Sequence, residues 1–214
     1  MKAKWEFSAL TNGDWTVISN EAECENEDRT KSLTAAVDEA TALFSDKEIT
    51  FTNAKASVFD LSFKISPYLY AFVAGPFGFF ERKTPGMPVM RIYARQTLVK
   101  DIRHEEMFTA TESGIAFYQE FFGRDYPFRK YDQVFVPEHV CGAMENVGCV
   151  TYNEVYLFRG ENPTLAKVLQ FTNTNLHELA HMWFGNLITM KWWDDLWLNE
   201  AFATFMAFLV ESKA

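Results

Sequence analysis

Two histidines four positions apart, His177 and His181, constrain this chain more than any other feature of its sequence. On an α-helix, residues with this spacing lie on one face about one turn apart, so both imidazoles can bind a single ion. Neutral imidazole nitrogens suit zinc, and a carboxylate as third ligand leaves the fourth position open, which is typical of a catalytic zinc. Glu200 follows after 18 residues on a second predicted helix. The sequence therefore predicts one zinc ion per chain, bound by His177, His181 and Glu200.

Glu178 stands next to the first histidine, where a metalloprotease carries its general base. A chance surface pattern is the alternative, because histidines at this spacing and an intervening glutamate also occur on ordinary helices. Two observations favour the metal site. Two of the 4 histidines fall in this pentad, and unpaired His and Glu side chains are costly to bury. The apolar neighbours that predict burial are Leu176, Leu179, Ala180 and Trp183.

Hydrophobic spacing predicts two helices that carry these residues. The first runs from Pro163 to Gly185 with the proline as its first residue, although a start near Asn173 stays open. The second runs over 196–209, with Asp194 or Asp195 as N-cap. We expect the second helix to expose an apolar face, which indicates a partner surface. The members of that face are Phe202, Phe205, Phe208 and Leu209.

Composition and charge narrow the class of protein. With 48% hydrophobic residues among 214, the chain can bury a core, and its net charge of −9 argues against nucleic acid and anionic membranes as partners. No apolar run approaches the roughly 20 residues of a membrane span, and the N-terminus lacks the apolar core of a signal peptide. We therefore expect a cytoplasmic protein. The 3 cysteines form no framework, although a Cys141–Cys149 pair stays open.

The pattern of structure changes near residue 100. Before it, the sequence predicts a helix over 32–44, a turn over 75–78, and strands over 4–10, 15–19, 48–52, 58–64, 68–74 and 89–94. After it, the sequence predicts a helix over 103–122 ended by Gly123, and strands over 133–136 and 148–152. This shift favours two domains, 1–100 and 101–214.

A second motif, Gly142-Ala143-Met144-Glu145-Asn146, lies between the last two of these strands. Together with the pentad 177–181 and Glu200, it makes the chain resemble the M1 family of zinc aminopeptidases. Stretches that resemble the same family also occur at 67–75, 131–133, 182–186 and 192–200. The resemblance implies an α+β fold. Its parts are the C-terminal half of a β-rich, saddle-like N-terminal domain and the first half of a thermolysin-like catalytic domain.

The resemblance also implies a role for each motif residue. The glutamate that matches Glu145 binds the free α-amine of a peptide substrate, which makes such an enzyme an exopeptidase. The whole segment 142–146 binds substrate, and Gly142 and Ala143 are expected to lie along it like an added strand, where small residues permit close approach. Glu178 is expected to accept a proton from the zinc-bound water and to pass it to the leaving amine.

The chain departs from the family pattern at its ends. The family stabilises the tetrahedral intermediate with a tyrosine well downstream of the third zinc ligand, whereas no tyrosine follows Glu200 before Ala214. We therefore expect the missing half of the catalytic domain, or another protein subunit, as a partner. Two other functions stay open. One is a truncated paralogue that acts as a structural or binding subunit with little activity, and the other is a relative that opens lipid epoxides.

Overall fold

The structure is a computed structural model that describes residues 1–24, 26–35, 53–159 and 162–213. The N-terminal part holds helix α1 (Glu27–Ala35) and the strands β1 (Ser8–Thr11), β2 (Thr16–Ser19), β3 (Lys55–Val58) and β4 (Phe72–Gly75). β1 pairs with β3 and β2 pairs with β4, each pair as a two-stranded antiparallel sheet.

A larger sheet follows, with five strands in the order β5-β6-β7-β9-β8. Its strands are β5 (Phe77–Arg82), β6 (Val89–Arg95), β7 (Lys130–Val136), β8 (Ala143–Met144) and β9 (Val150–Asn153). β6, β7 and β9 are parallel, whereas β5 and β8 run antiparallel to their neighbours. The predicted division at residue 100 falls between β6 and β7, which pair in this sheet, and it stays a prediction.

Three longer helices, α2 (His104–Phe122), α3 (Leu165–His181) and α4 (Leu196–Glu211), share one apolar core with the sheet. α2 makes the crossover between the parallel strands β6 and β7. Gly114 lets α2 approach α3 closely, because a Cβ there would lie 2.7 Å from Cδ2 of Leu176 and 2.8 Å from Cδ2 of Leu179. Helix α3, which carries the two histidines, is thus held in place by close packing against α2. Together these elements confirm the predicted α+β class.

The start of α3 differs from the prediction. Thr164 is its N-cap, and the threonine hydroxyl accepts a hydrogen bond from the backbone N–H of Lys167 at 3.4 Å. The predicted starts at Pro163 and near Asn173 are therefore both wrong, and the helix ends at His181 before the predicted Gly185. The prediction for α2 is confirmed at its C-terminus, where Gly123 adopts a left-handed φ of 60°.

The exposed face predicted for α4 is confirmed in part. Phe205 and Phe208 are 57% and 59% exposed. The prediction is wrong for Phe202 and Leu209, which pack against the core, and the ring centroid of Phe202 lies 4.5 Å from that of Phe184. α4 follows Asp195 as N-cap, one of the two predicted residues, without a side-chain cap hydrogen bond.

The β predictions of the first part need several corrections. The predicted turn over 75–78 is too long: the chain bends only at Pro76, because Gly75 ends β4 and β5 begins at Phe77. Aromatic residues favour a strand there, and β6 supplies its backbone partners. The predicted strands 58–64 and 68–74 are shifted, since β3 ends at Val58 and 67–69 forms a 3-10 turn. The predicted strand 48–52 and the helix residues 36–44 lie outside the described residues.

Two further expectations concern cysteines and membranes. The three cysteines, all within the described ranges, are free thiols, with Cys141 exposed and Cys149 buried. The pair left open by the sequence is therefore not formed. In the described part of the chain, no helix combines the length and the apolar character needed to cross a membrane.

Candidate metal and substrate-binding site

The three predicted zinc ligands meet where α3 ends and α4 begins. His177 Nε2 lies 3.0 Å from His181 Nε2. Glu200 Oε2 lies 3.3 Å from the first of these nitrogens and 3.6 Å from the second. Helical spacing puts the two imidazoles on one face of α3, and the segment between the helices brings the carboxylate opposite them.

These separations fit one zinc ion. Ligand atoms at about 2.1 Å from zinc in tetrahedral geometry lie about 3.4 Å from one another. The three observed distances of 3.0, 3.3 and 3.6 Å bracket that value. Two imidazole nitrogens and one carboxylate oxygen are also donors that zinc accepts in catalytic sites. His177, His181 and Glu200 could therefore hold zinc and leave one position for another ligand.

Side chains behind the ligands orient them. His181 Nδ1 lies 3.1 Å from Asn199 Oδ1 and 3.2 Å from the backbone oxygen of Phe184, both acceptors. This arrangement keeps a proton on Nδ1 and directs the Nε2 lone pair toward the other ligands when the ring is neutral. His177 Nδ1 lies 3.2 Å from Thr204 Oγ1.

Gly185 makes this close approach possible. Its φ of 123° is rare for a residue with a side chain, and a Cβ there would lie 2.4 Å from Asn199 Oδ1 and 3.1 Å from His181 Nδ1. The turn after α3 can therefore pass beside both side chains only with glycine at this position.

Glu178 faces the same site from inside the protein. Its side chain is buried, and its Oε2 atom has no hydrogen-bond partner among the described residues. Burial raises the pKa of Glu178 to about 8, and the charges of Glu145 and Glu200 add to this effect while that of His181 opposes it. A carboxyl group that titrates near neutral pH can both accept and return a proton.

Glu145 lies beside Glu178. One ligand atom from each of Glu145, Glu178 and His181 falls within 4.8 Å of the others, and all three residues are buried. Asn186, in the turn after α3, donates from Nδ2 to the backbone oxygen of Glu145 at 2.8 Å. The carboxylate of Glu145 is thus held next to the candidate base and the candidate metal ligands.

The rest of the segment 142–146 leads to Glu145 along the edge of the large sheet. Ala143 and Met144 form β8, and the Gly142 carbonyl accepts from the Asn153 backbone N–H at 2.9 Å. Asn146 is buried and donates from Nδ2 to the Leu69 carbonyl at 3.4 Å, so its side chain holds the segment in place.

The charges of the site favour a cation. Hydrogen bonds from His177 and His181 hold the pKa of Glu200 well below its usual range. Burial lowers the pKa of His181, but the hydrogen bond to Glu200 and the charges of Glu145 and Glu178 outweigh it and raise that pKa to about 9. In the metal-free chain at neutral pH, His181 therefore carries a proton that an incoming metal ion must displace.

Comparison with known protein families shows which family this chain belongs to. The model of the peptidase family M1 domain matches residues 106–214, which is just over half of the chain and contains every candidate site residue named above. The chain belongs to peptidase family M1.

Named relatives of this M1 chain are aminopeptidases. Aminopeptidase N of Streptomyces lividans is 37% identical over 209 residues, which is 96% of this chain and 21% of that protein. Endoplasmic reticulum aminopeptidase 1 of Homo sapiens is 40% identical over 152 residues, 71% of this chain and 16% of that protein. Aminopeptidase N of Oryctolagus cuniculus is 32% identical over 210 residues, 98% of this chain and 20% of that protein. The M1 chain spans about a fifth of the length of these relatives.

Sequence reasoning gave no role to several residues that shape the M1 site. Asn199 lies one position before Glu200, and Thr204 lies four positions after it on the same helix. Such nearness in sequence could have drawn attention to both. Asn186 carries no comparable signal, because its contact with Glu145 joins segments 41 positions apart.

Proposed function

We propose that this protein is a zinc-dependent aminopeptidase that removes N-terminal residues from peptides. One observation carries the proposal: the three candidate ligands lie within 3.6 Å of one another, with the buried Glu178 and Glu145 beside them. The printed names of the M1 relatives support the same reaction class. A zinc ion bound there supplies Lewis-acid polarisation of a peptide carbonyl and a more acidic water.

Glu178 is the proton carrier in this proposal. Burial raises the pKa of Glu178 to about 8 in the metal-free chain, and the positive charge of a bound zinc ion would lower that pKa toward the range in which the carboxylate accepts a proton. Glu178 accepts the proton of the attacking water and delivers it to the amine that leaves. Burial without a hydrogen-bond partner among the described residues leaves its Oε2 atom available for that proton.

Glu145 sets the register of the substrate. Its carboxylate binds the α-ammonium, and the fixed distance from there to the metal ligands admits one residue before the scissile bond. β8 lies at the edge of the described sheet, so an extended peptide can pair with the backbone of Gly142 and Ala143. Met144 joins this edge to Glu145.

We propose the finer architecture on the same basis. Residues 1–100 are then part of a saddle-like β domain, and residues 101–214 are part of a thermolysin-like domain.

A partner surface is also proposed on α4, supported by the exposed rings of Phe205 and Phe208. The remaining part of a longer protein, or another subunit, covers it. In the 214-residue chain, replacing both rings with serine is expected to reduce self-association in light scattering, and unchanged association would contradict this surface.

Glu178→Gln tests the proposed reaction. Glutamine keeps the size of the side chain but cannot accept the proton, so zinc content should stay the same while peptide hydrolysis is lost. Glu106→Gln, on the exposed side of α2, is the matched control and should keep both.

Measurements of zinc content and turnover in the parent and in Glu178→Gln separate the proposed aminopeptidase from the two alternative functions. Hydrolysis at the parent rate by a zinc-loaded Glu178→Gln variant would overturn the base assignment. Zinc binding without hydrolysis by the parent protein would favour the non-catalytic subunit, and turnover of lipid epoxides alone would favour the epoxide-opening relative.

A further inference from the structure

One tyrosine hydroxyl near the site is of particular interest because it is buried. Tyr68 lies in the 3-10 turn 67–69, and its hydroxyl is buried with no hydrogen-bond partner among the described residues. All 8 tyrosines fall within the described ranges, and no other tyrosine hydroxyl there is both buried and unpartnered. The hydroxyls of Tyr118 and Tyr126, by contrast, donate to backbone carbonyls at 3.0 and 3.1 Å. Since buried phenols normally find a partner, the hydroxyl of Tyr68 is suited to a ligand.

Contacts on two sides link the turn that carries Tyr68 to segments of the site. The carbonyl of the next residue, Leu69, accepts hydrogen bonds from Asn20 Nδ2 at 2.8 Å and from Asn146 Nδ2 at 3.4 Å. Asn146 directly follows the candidate amine anchor, so this turn and the substrate-binding segment are tied together. On the other side, the Tyr68 ring packs edge-on against Trp193, with 5.4 Å between centroids, in the turn that leads into α4.

The surroundings of the hydroxyl suit a cation. Burial, followed by the charges of Glu145 and Glu200, raises the pKa of Tyr68 above its usual range, so the phenol stays neutral at physiological pH. A neutral phenol oxygen has lone pairs that can accept an N–H. An α-ammonium has three N–H donors, and the single carboxylate of Glu145 leaves at least one of them to be satisfied by another acceptor.

We propose that the Tyr68 hydroxyl accepts a hydrogen bond from the α-ammonium of the bound peptide, alongside the Glu145 carboxylate. The inference rests on the proposed aminopeptidase function and adds a substrate-binding residue to it. Recognition of the free N-terminus then depends on a turn of the N-terminal β part as well as on segment 142–146.

Binding of two matched probes tests the inference. The probes are leucylglycine amide and its analogue without the α-amine, 4-methylpentanoylglycine amide, titrated by calorimetry into zinc-loaded protein at neutral pH. All variants carry Glu178→Gln, so that the peptide is not cleaved. Tyr68→Phe should weaken binding of leucylglycine amide by about tenfold, because a hydrogen bond to a charged group is lost. Binding of the analogue should not change.

Thermal unfolding separates a ligand contact from a structural one. Tyr68→Phe should leave the melting temperature unchanged, because the hydroxyl has no partner in the described protein. Tyr126→Phe is the matched control, since its hydroxyl donates to the Lys130 carbonyl. That variant should lower the melting temperature and bind both probes like the parent.

The outcomes are distinct. Equal affinity of the parent for the two probes would overturn amine recognition, and with it the proposed function and this inference. Amine selectivity that Tyr68→Phe leaves intact would overturn the inference alone. A melting temperature lowered as much as in Tyr126→Phe would show that the hydroxyl serves the folded chain, which also overturns it.

Discussion

His181 Nδ1 lies 3.1 Å from Asn199 Oδ1, and Asn199 directly precedes Glu200. The Asn199 amide therefore orients the candidate ligand His181. Its Nδ2 atom also lies 3.5 Å from Oε1 of the candidate ligand Glu200. Asn199→Ala should lower zinc affinity about 10- to 100-fold, the usual effect of removing such a supporting residue. Competition with a chromophoric chelator measures it.

Two variants control this experiment. Asn199→Asp keeps an acceptor for the imidazole proton and should retain most of the affinity. Asn173 lies elsewhere on α3 and donates a hydrogen bond to Glu211 Oε2. Asn173→Ala removes that bond and should leave zinc affinity unchanged. Zinc affinity of Asn199→Ala equal to that of the parent would show that the amide does not orient the ligand.

Gly185→Ala should destabilise the protein and weaken zinc binding together. The substitution forces a side chain into a φ of 123° and places a Cβ 2.4 Å from Asn199 Oδ1. The backbone strain alone costs about 1–3 kcal/mol. Gly86→Ala is the control, because Gly86 also has a positive φ, 79°, but no atom of the described residues lies within 4 Å of its Cβ position. Urea unfolding should show a larger loss for Gly185→Ala, and equal losses would exclude a role for the close approach.

Zinc binding should release a proton. In the metal-free chain the pKa of His181 is raised to about 9, so below that pH the ring is protonated and zinc must displace the proton. The apparent affinity should therefore fall about tenfold for each unit by which the pH is lowered, over about pH 8 to 6. Calorimetry in two buffers of different ionisation enthalpy counts the proton. An affinity that does not depend on pH over this range would contradict the assignment.

Glu145→Gln should remove the preference for a free N-terminus. Glutamine keeps the backbone and its contact with Asn186 but loses the charge that attracts the α-ammonium. We expect kcat/KM for an unblocked peptide to fall by about 10²-fold or more, since a charged contact is left unmade. N-acetylated peptide should be a poor substrate before and after the change. Selectivity equal to that of the parent would assign amine binding to other residues.

Local sequence patterns predict which candidate ligands share a helical face, but they do not predict the side chains around them. The spacing of His177 and His181 determines a shared helical face, whatever the rest of the fold does. Asn186 and Tyr68, however, reach the site through contacts between distant segments, which no local pattern encodes. Only the packed structure shows them.

The same reason explains the errors in the fold. The sequence does not predict β5, because Gly75-Pro76 favours a turn locally. The strand forms because its backbone pairs with β6, a contact that the local sequence does not encode. The sequence misplaces the start of α3 because proline is common at the first position of a helix, which favours a start at Pro163. In the structure Thr164 is the N-cap instead, since its hydroxyl accepts a hydrogen bond from the Lys167 backbone N–H.

Metal analysis combined with X-ray absorption at the zinc edge tests the proposed zinc site most directly. The purified protein should hold about one zinc per chain, with two imidazole nitrogens and a carboxylate oxygen among its nearest neighbours. His177→Ala and His181→Ala should each lose the metal, whereas His139→Ala, which removes a half-buried ring that is not one of the candidate ligands, should keep it. Full zinc content in both site variants, or a zinc environment without imidazole in the parent, would contradict zinc binding by the two histidines.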